Sequence, residues 1–303
     1  MDRPTVECVP NFSEGRDARI VAQIVEAIAA VPGAAVLGRT SDSDHNRTVV
    51  TFAGEPAPVV EAAFRGIERA VALIDLNRHA GVHPRIGAAD VVPFVPVSGT
   101  AMADCARLAG HLGERVWREL RVPVYLYEAA ARRPDRVNLA NIRRGWFEKL
   151  REEVQFDAAR LPDFGEARLH PTAGACVIGA RKFLIAFNVN LATADVETAR
   201  RIAKAIRFSS GGLPAVRALG LFLPSRGAAQ VSINLTDFEV TPLRAVFERV
   251  QAEAERCGAR ISGSELIGLI PRKALEGAGN GELRFENFQP DLILENRLEQ
   301  LLP

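Results

Sequence analysis

The chain reads as an α/β (α+β) protein made of two duplicated βαββαβ, ferredoxin-like units with a ligand groove between them. Three observations predict this. Apolar residues alternate in short runs and recur every three or four positions in longer ones, in the order strand–helix–strand–strand–helix–strand. That order returns in the second half of the chain. A length of 303 residues suits about two domains, placed at 1–178 and 179–303.

Thr5–Phe12 alternates as a strand and runs into a polar turn, Asn11–Gly15. Ile20, Val21, Ile24, Val25 and Ile28 share one helical face, and Pro32-Gly33 stops that helix. Ala34–Leu37 predicts a second strand, Thr40–Arg47 a polar corner and Thr48–Ala53 a third strand. Pro56 opens a helix striped by Val60, Phe64, Ile67, Val71 and Ile74. After the loop Gly81–Asp90, the run Val91–Val97 predicts the fourth strand. A helix over about 101–120 and a strand over 122–127 extend the unit. Arg132, Arg133, Arg136, Arg143 and Arg144 form a basic run, read as a solvated helix face. Its functional version is a seat for carboxylates. Residues 151–174 lack a clear period and carry Pro162, Gly165, Pro171 and Gly174, a linker with the character of a functional loop.

The second half begins with a strand over Phe183–Asn190 and a helix on Val196, Ala199, Ile202 and Ile206. Val216–Leu223 and Gln230–Leu235 follow as strands. Thr241-Pro242 reads as cap and first turn of a helix whose inner face is Leu243, Val246, Phe247 and Val250. The run Arg260–Pro271 then echoes Arg85-Ile86-Gly87 and its proline-ended strand.

The totals exclude several classes. Lys plus Arg number 38 and Asp plus Glu 37, so global charge favours neither nucleic acid nor a membrane surface. The four cysteines form no C-x-x-C pair and fit a reducing compartment. No leader-like N-terminus and no apolar run of about 18–20 residues is present, so a cytoplasmic protein is expected.

The chemistry concentrates in Gly81–Asp90, where His83, Arg85 and Asp90 stand within eight positions. Pro84 keeps His83 out of a helix, and an imidazole at a strand mouth suits proton transfer near neutrality. His79-x-x-x-His83 resembles half a metal site. Pro84 opposes the helix that such a pair needs, no third ligand lies nearby, and no metal is expected. His79 is instead a polar residue at the end of the second helix. Asp42–Arg47 lacks the later glycine and glutamate of a calcium loop and reads as a tight polar turn or a substrate contact. Gly277–Gly281 follows a helix rather than a strand, which excludes a dinucleotide loop. No G-x-S-x-G elbow supports covalent catalysis.

The segments Val6–Gly15, Asn46–Val49, His83–Gly87, Val122–Tyr127, Gly179–Asn188 and Ala229–Ser232 together resemble the glutamate formimidoyltransferase family over about residues 5–275. The resemblance implies transfer of a formimidoyl group from N-formimidoyl-L-glutamate to N5 of tetrahydrofolate, a step of histidine degradation. It implies His83 as general acid and base. It places folate on Gly165, Glu166, Ala167, Arg168, Leu169, His170, Pro171, Thr172, Ala173 and Gly174. It implies a homodimer acting on small molecules, folate with or without a polyglutamate tail, and no tightly bound cofactor. Vertebrate relatives continue into a cyclodeaminase domain, which is not expected here. Where some members have an aspartate near the end of the second strand, this chain has Thr40, leaving Asp42, Asp44 or Asp90 to orient the histidine. Asp90 also suits stabilisation of a cationic amidinium, and Arg47 and Arg85 suit substrate carboxylates. With Asn11 and Asn46 these complete the expected substrate contacts. Two other readings compete: a non-catalytic folate- or ligand-binding regulatory protein, and a metal-dependent amidine hydrolase.

Overall fold

The computed structural model describes residues 3–301 except Asp44, Val82, Ser225 and 277–279. The chain folds as two compact units, divided between Arg181 and Lys182.

The first unit opens with β1 (Thr5–Cys8) and β2 (Asn11–Phe12), α1 (Ala18–Ala29), β3 (Ala34–Asp42) and β4 (Arg47–Gly54). It continues with α2 (Pro56–Leu73), β5 (Ala89–Ser98), α3 (Met102–Leu120), β6 (Val124–Glu128), α4 (Leu139–Ile142), α5 (Trp146–Glu153) and β7 (Cys176–Ala180). β1 and β2 lie between β4 and β5, antiparallel to both, and β3 closes the edge beside β4. This is the ferredoxin-like order, extended by β7 parallel to β5 and then by β6. Phe12, Ile28, Phe52, Phe64, Ile67 and Phe94 fill the core between sheet and helices. Each contributes roughly 1.5–3 kcal/mol by leaving water.

The expected single strand Thr5–Phe12 is broken. Pro10 and Pro93 both lack an N–H, and the two proline stretches face each other between the Cys8–Phe94 and Asn11–Val91 pairs. The bonds that remain there run from Val9 N to Pro93 O and from Val50 N to Pro10 O. The polar corner is also shorter than expected. β3 runs through Thr40 to Asp42, which pairs with Arg47 across the turn.

The basic run is solvated only in part: Arg132 and Arg144 are exposed, whereas Arg136 and Arg143 turn inward. Arg136 is buried against Asp163 at 2.5 Å, and Arg143, following α4, is paired with the buried Asp90. Burial of an arginine is costly, and such a carboxylate offsets much of that cost.

The second unit carries β8 (Ile185–Leu191), α6 (Val196–Ile206), β9 (Val216–Leu223), β10 (Ala228–Leu235), α7 (Leu243–Arg256) and β11 (Ile261–Ile267). Two short helical pieces follow, α8 (Asn280–Leu283) and α9 (Leu294–Leu301). Its sheet runs β11–β8–β10–β9, all antiparallel. That is the strand order of the first unit's ferredoxin-like part, so the expected duplication is present in the topology. Thr241 does not cap α7: its hydroxyl donates to Pro214 O at 2.6 Å, and Pro242 stands at the cap. Part of Gly277–Gly281 lies outside the described residues. No helix among the described residues is long and apolar enough to cross a membrane.

Candidate active site

Three loops of the first unit converge on His83: the β2–α1 turn, the β3–β4 turn and the segment between α2 and β5. Asn46 ties them together. Its backbone adopts φ 49°, a left-handed conformation that asparagine tolerates better than most residues. Its Oδ1 accepts from Gly15 N at 2.9 Å and its Nδ2 donates to Ala80 O at 3.2 Å. The approach is close enough that a Cβ on Gly81 would stand 2.4 Å from His45 O. Ser13 adds a further tie, its hydroxyl donating to Gly87 O at 2.7 Å.

Ser13, His45, Asn46, Arg47, His79, His83, Arg85 and Asp90 line one small cleft. Five of the expected site residues, His83, Asn46, Arg47, Arg85 and Asp90, are therefore brought together. Asp42 lies at its edge, accepting from His45 N at 2.8 Å and 3.6 Å from the His45 ring. Asn11 sits one strand away, opposite Val49 and Val91, and its buried Oδ1 has no hydrogen-bond partner among the described residues. Asp44 lies outside the described residues.

His83 is half-buried, and Arg47 Nη1 donates to its Nε2 at 2.6 Å. An imidazole that accepts there carries its proton on Nδ1 and is neutral. Burial first, then the charges of Arg47 and Arg143 and the neighbouring His45, push its pKa down to about 2. Arg47 answers in kind: burial and Arg143 lower it to about 10.

His79 is a loop residue beyond α2, not its end. Its Nε2 meets Asn46 O at 2.9 Å and its Nδ1 accepts from Arg85 Nε at 3.0 Å. Arg85, itself buried, grips Glu148 of α5 through two parallel bonds of 3.0 and 2.7 Å. Asp90 accepts from Ile86 N at 2.8 Å and pairs with Arg143. Arg143, Glu148, Ser13 and His45 were not singled out from the sequence. Ser13, His45 and Arg143 lie within the Asn11–Gly15 motif, the Asp42–Arg47 corner and the basic run, without having been chosen from them, and no local pattern marks Glu148.

The segment Gly165–Gly174 falls into two parts. Glu166 and Arg168 are exposed and paired with each other at 3.4 Å. His170–Gly174 closes a tight hairpin in which His170 N and Gly174 N bond each other's carbonyls at 2.9 and 3.1 Å. His170 Nδ1 accepts from Ala173 N at 3.0 Å, and burial lowers the pKa of this ring. That hairpin is stitched to the His83 segment: Leu76 N donates to Thr172 O and Ala88 N to Ala173 O, at 2.8 and 2.9 Å. Gly87 pairs with Gly174, so closely that a Cβ on Gly87 would lie 1.9 Å from Ala175 O.

The cleft thus offers three imidazoles, His83 among them neutral, the guanidinium groups of Arg47 and Arg85, and the carboxylate of Asp90. Arginines of this kind can bind anions, and an imidazole can move a proton without covalent attachment. Comparison with known families matches residues 5–181 to the formiminotransferase domain, N-terminal subdomain, and residues 186–292 to the formiminotransferase domain. A glutamate formimidoyltransferase of Thermoplasma acidophilum is 47% identical over 97% of both chains. One of Streptococcus pyogenes is 43% identical over 97% of this chain and 98% of its own. The formimidoyltransferase-cyclodeaminase of Sus scrofa is 47% identical over 93% of this chain, which covers 53% of that longer protein.

Proposed function

Because the chain belongs to the formiminotransferase family over both of its units, we propose that it transfers the formimidoyl group of N-formimidoyl-L-glutamate to N5 of tetrahydrofolate. The products are 5-formimidoyltetrahydrofolate and glutamate, as in histidine degradation. Near-full-length identity of 47% to a relative named glutamate formimidoyltransferase carries this reading.

The chemistry follows from the cleft. The N5 lone pair forms a bond to the amidine carbon, giving a tetrahedral centre. His83 Nε2 takes the N5 proton and delivers it to the glutamate nitrogen, whose bond to carbon then breaks with its electron pair. One proton is moved and none is consumed, which suits a single neutral imidazole. Arg47 holds a carboxylate of the donor, and Asp90 lends negative charge to the amidinium. Arg85 supports the loop through Glu148 and meets a substrate carboxylate only by exchanging that partner. Gly165–Gly174 holds the folate, its hairpin half fixed against the His83 segment. Registering two substrates side by side supplies a large share of the rate. The same reading makes the protein a cytoplasmic homodimer acting on small molecules.

The test is turnover of formimidoylglutamate with tetrahydrofolate, followed through the folate spectrum. His83→Ala should lower kcat by about 10²–10⁴. Absence of glutamate release by the intact protein would refute the function. Formamide release without folate, abolished by a chelator, would favour an amidine hydrolase instead.

A further inference from the structure

We infer that Arg47 is a cover on His83 that the donor's own carboxylate removes: a negatively charged substrate draws the guanidinium off Nε2 and so turns an inert imidazole into a base. The inference rests on the formimidoyl-transfer reading and adds to it an order of events.

Three observations carry it. The lone pair that must accept the N5 proton is occupied, with Arg47 Nη1 2.6 Å from His83 Nε2. A base capped in this way cannot take up a proton until the cap moves. Second, Arg47 is poorly served by its position. Its buried Nε–H has no hydrogen-bond partner among the described residues, and its Nη1 meets only a neutral ring. Buried donors without acceptors are costly, and a guanidinium gains most from the paired oxygens of a carboxylate. Third, the neighbouring arginines already have such partners. Arg85 holds Glu148 and Arg143 holds Asp90.

The electrostatic surroundings make the cover matter. Facing the imidazole are Arg47 from β4, Arg143 beyond α4, and His45 from the β3–β4 turn, its ring centroid 5.8 Å away. Asp90 from β5 and Asp42 from β3 act on Arg47, while Arg85 and His79 line the same cleft. With the guanidinium in place the ring is held neutral far below its ordinary range. A carboxylate beside Arg47 removes the direct bond and part of the positive field, and basicity rises, while burial, the largest cause of the depression, remains. The donor brings that carboxylate. Base strength then becomes conditional on correct substrate, which protects the site from idle proton transfer.

The experiment follows the imidazole itself. Histidine resonances of the full chain are recorded from pH 4.5 to 8.5, the His83 signal being identified by its loss in His83→Gln. Without ligand the ring should show no titration in this range. Saturating L-glutamate should raise its midpoint by two or more pH units, so that titration becomes visible at the acid end of this range. Arg47→Met should titrate above the unliganded parent and show no further rise with glutamate, burial, Arg143 and His45 still holding it below the ordinary value, and the wild-type comparison stands even where that variant fails to fold. As a second readout, formamidine, a donor without carboxylates, should show kcat reduced at least 100-fold, partly restored by added glutarate. Turnover of formimidoylglutamate with an unmoved His83 signal in saturating glutamate overturns the cover and leaves the enzyme reading intact. Failure of turnover overturns that reading, whatever the imidazole does.

Discussion

Glu7 is the most exposed test of the electrostatics in the first unit, because it is a carboxyl with almost no water. It points away from the Val6–Cys8 core face of β1, between Ala53 of β4 and Val95 of β5, and is 1% exposed. Its Oε2 has no hydrogen-bond partner among the described residues. Burial raises its pKa from 4.5 to about 7, and attraction to Arg181 offsets only part of that. The unfolded chain releases this proton near 4.5, whereas the folded chain keeps it until about 7. Glu7 therefore favours folding fully below pH 4.5, and that contribution is lost as pH rises through 7. With 1.36 kcal/mol per pKa unit, ionised Glu7 costs about 3 kcal/mol above pH 7. Glu7→Gln keeps the shape and removes the charge. It should match the parent at pH 4 and exceed it by about 3 kcal/mol at pH 8.5. For a domain of this size that is roughly 6–12 °C in Tm. Denaturant melts at both pH values, followed on the first unit's transition, check this. A pH-independent difference, or a less stable variant at pH 8.5, would refute the reasoning.

His83 should behave with the opposite sign. Its folded pKa is depressed from 6.5 to about 2, so its contribution is present above pH 6.5 and lost as pH falls, at about 1.4 kcal/mol per pH unit. Between pH 6.5 and 4, stability of the parent should fall by that slope more than stability of His83→Gln, read by urea melts across the interval. Gly87→Ala should cost about 3 kcal/mol or more, because its Cβ would collide with backbone, Ala175 O at 1.9 Å, which no rotamer change relieves. Its denaturation midpoint should drop with activity, since the same residue binds the His83 segment to the hairpin at Gly174.

How much of this was legible depends on how local the cause is. The βαββαβ order could be read because it follows from periods of 2 and 3.6 in the apolar residues, and each stripe met a sheet. Gly165–Gly174 could be picked out as irregular from its glycines and prolines. The bonds from Ala88 and Leu76 to that hairpin could not be read, because they join backbone atoms far apart in the chain and leave no mark on residue type. Arg143 misled for the same reason. On a short polar stretch it looks solvated, and its partner Asp90 lies 53 positions earlier. Thr241 shows a local rule losing to a distant one, its hydroxyl preferring Pro214 O to the end of α7. The break after Cys8 was signalled by Pro10, but its necessity appears only when Pro93 stands opposite.

On the proposed reading, the arginines around His83 would let an anionic donor and a cationic reacting group share one site. An amidinium approaching Arg47, Arg85 and Arg143 unaided would meet net repulsion, worth about 1–4 kcal/mol per pair at 4 Å depending on the local dielectric. Arg85 and Arg143 are screened by Glu148 and Asp90, at bonding distance in both cases. Exchange of either partner for a substrate carboxylate swaps one charge-assisted bond for another and gains little. At Arg47 the exchange replaces a single bond to a neutral imidazole by the paired oxygens of a carboxylate, which add a second bond and an opposite charge. The free energy of carboxylate recognition therefore concentrates at the residue that bonds the base. Neutralisation of that arginine also removes a repulsive charge next to the amidinium. Under the proposed cover, recognition of the glutamate end and preparation of the reacting end become one event, carried by a single side chain on β4.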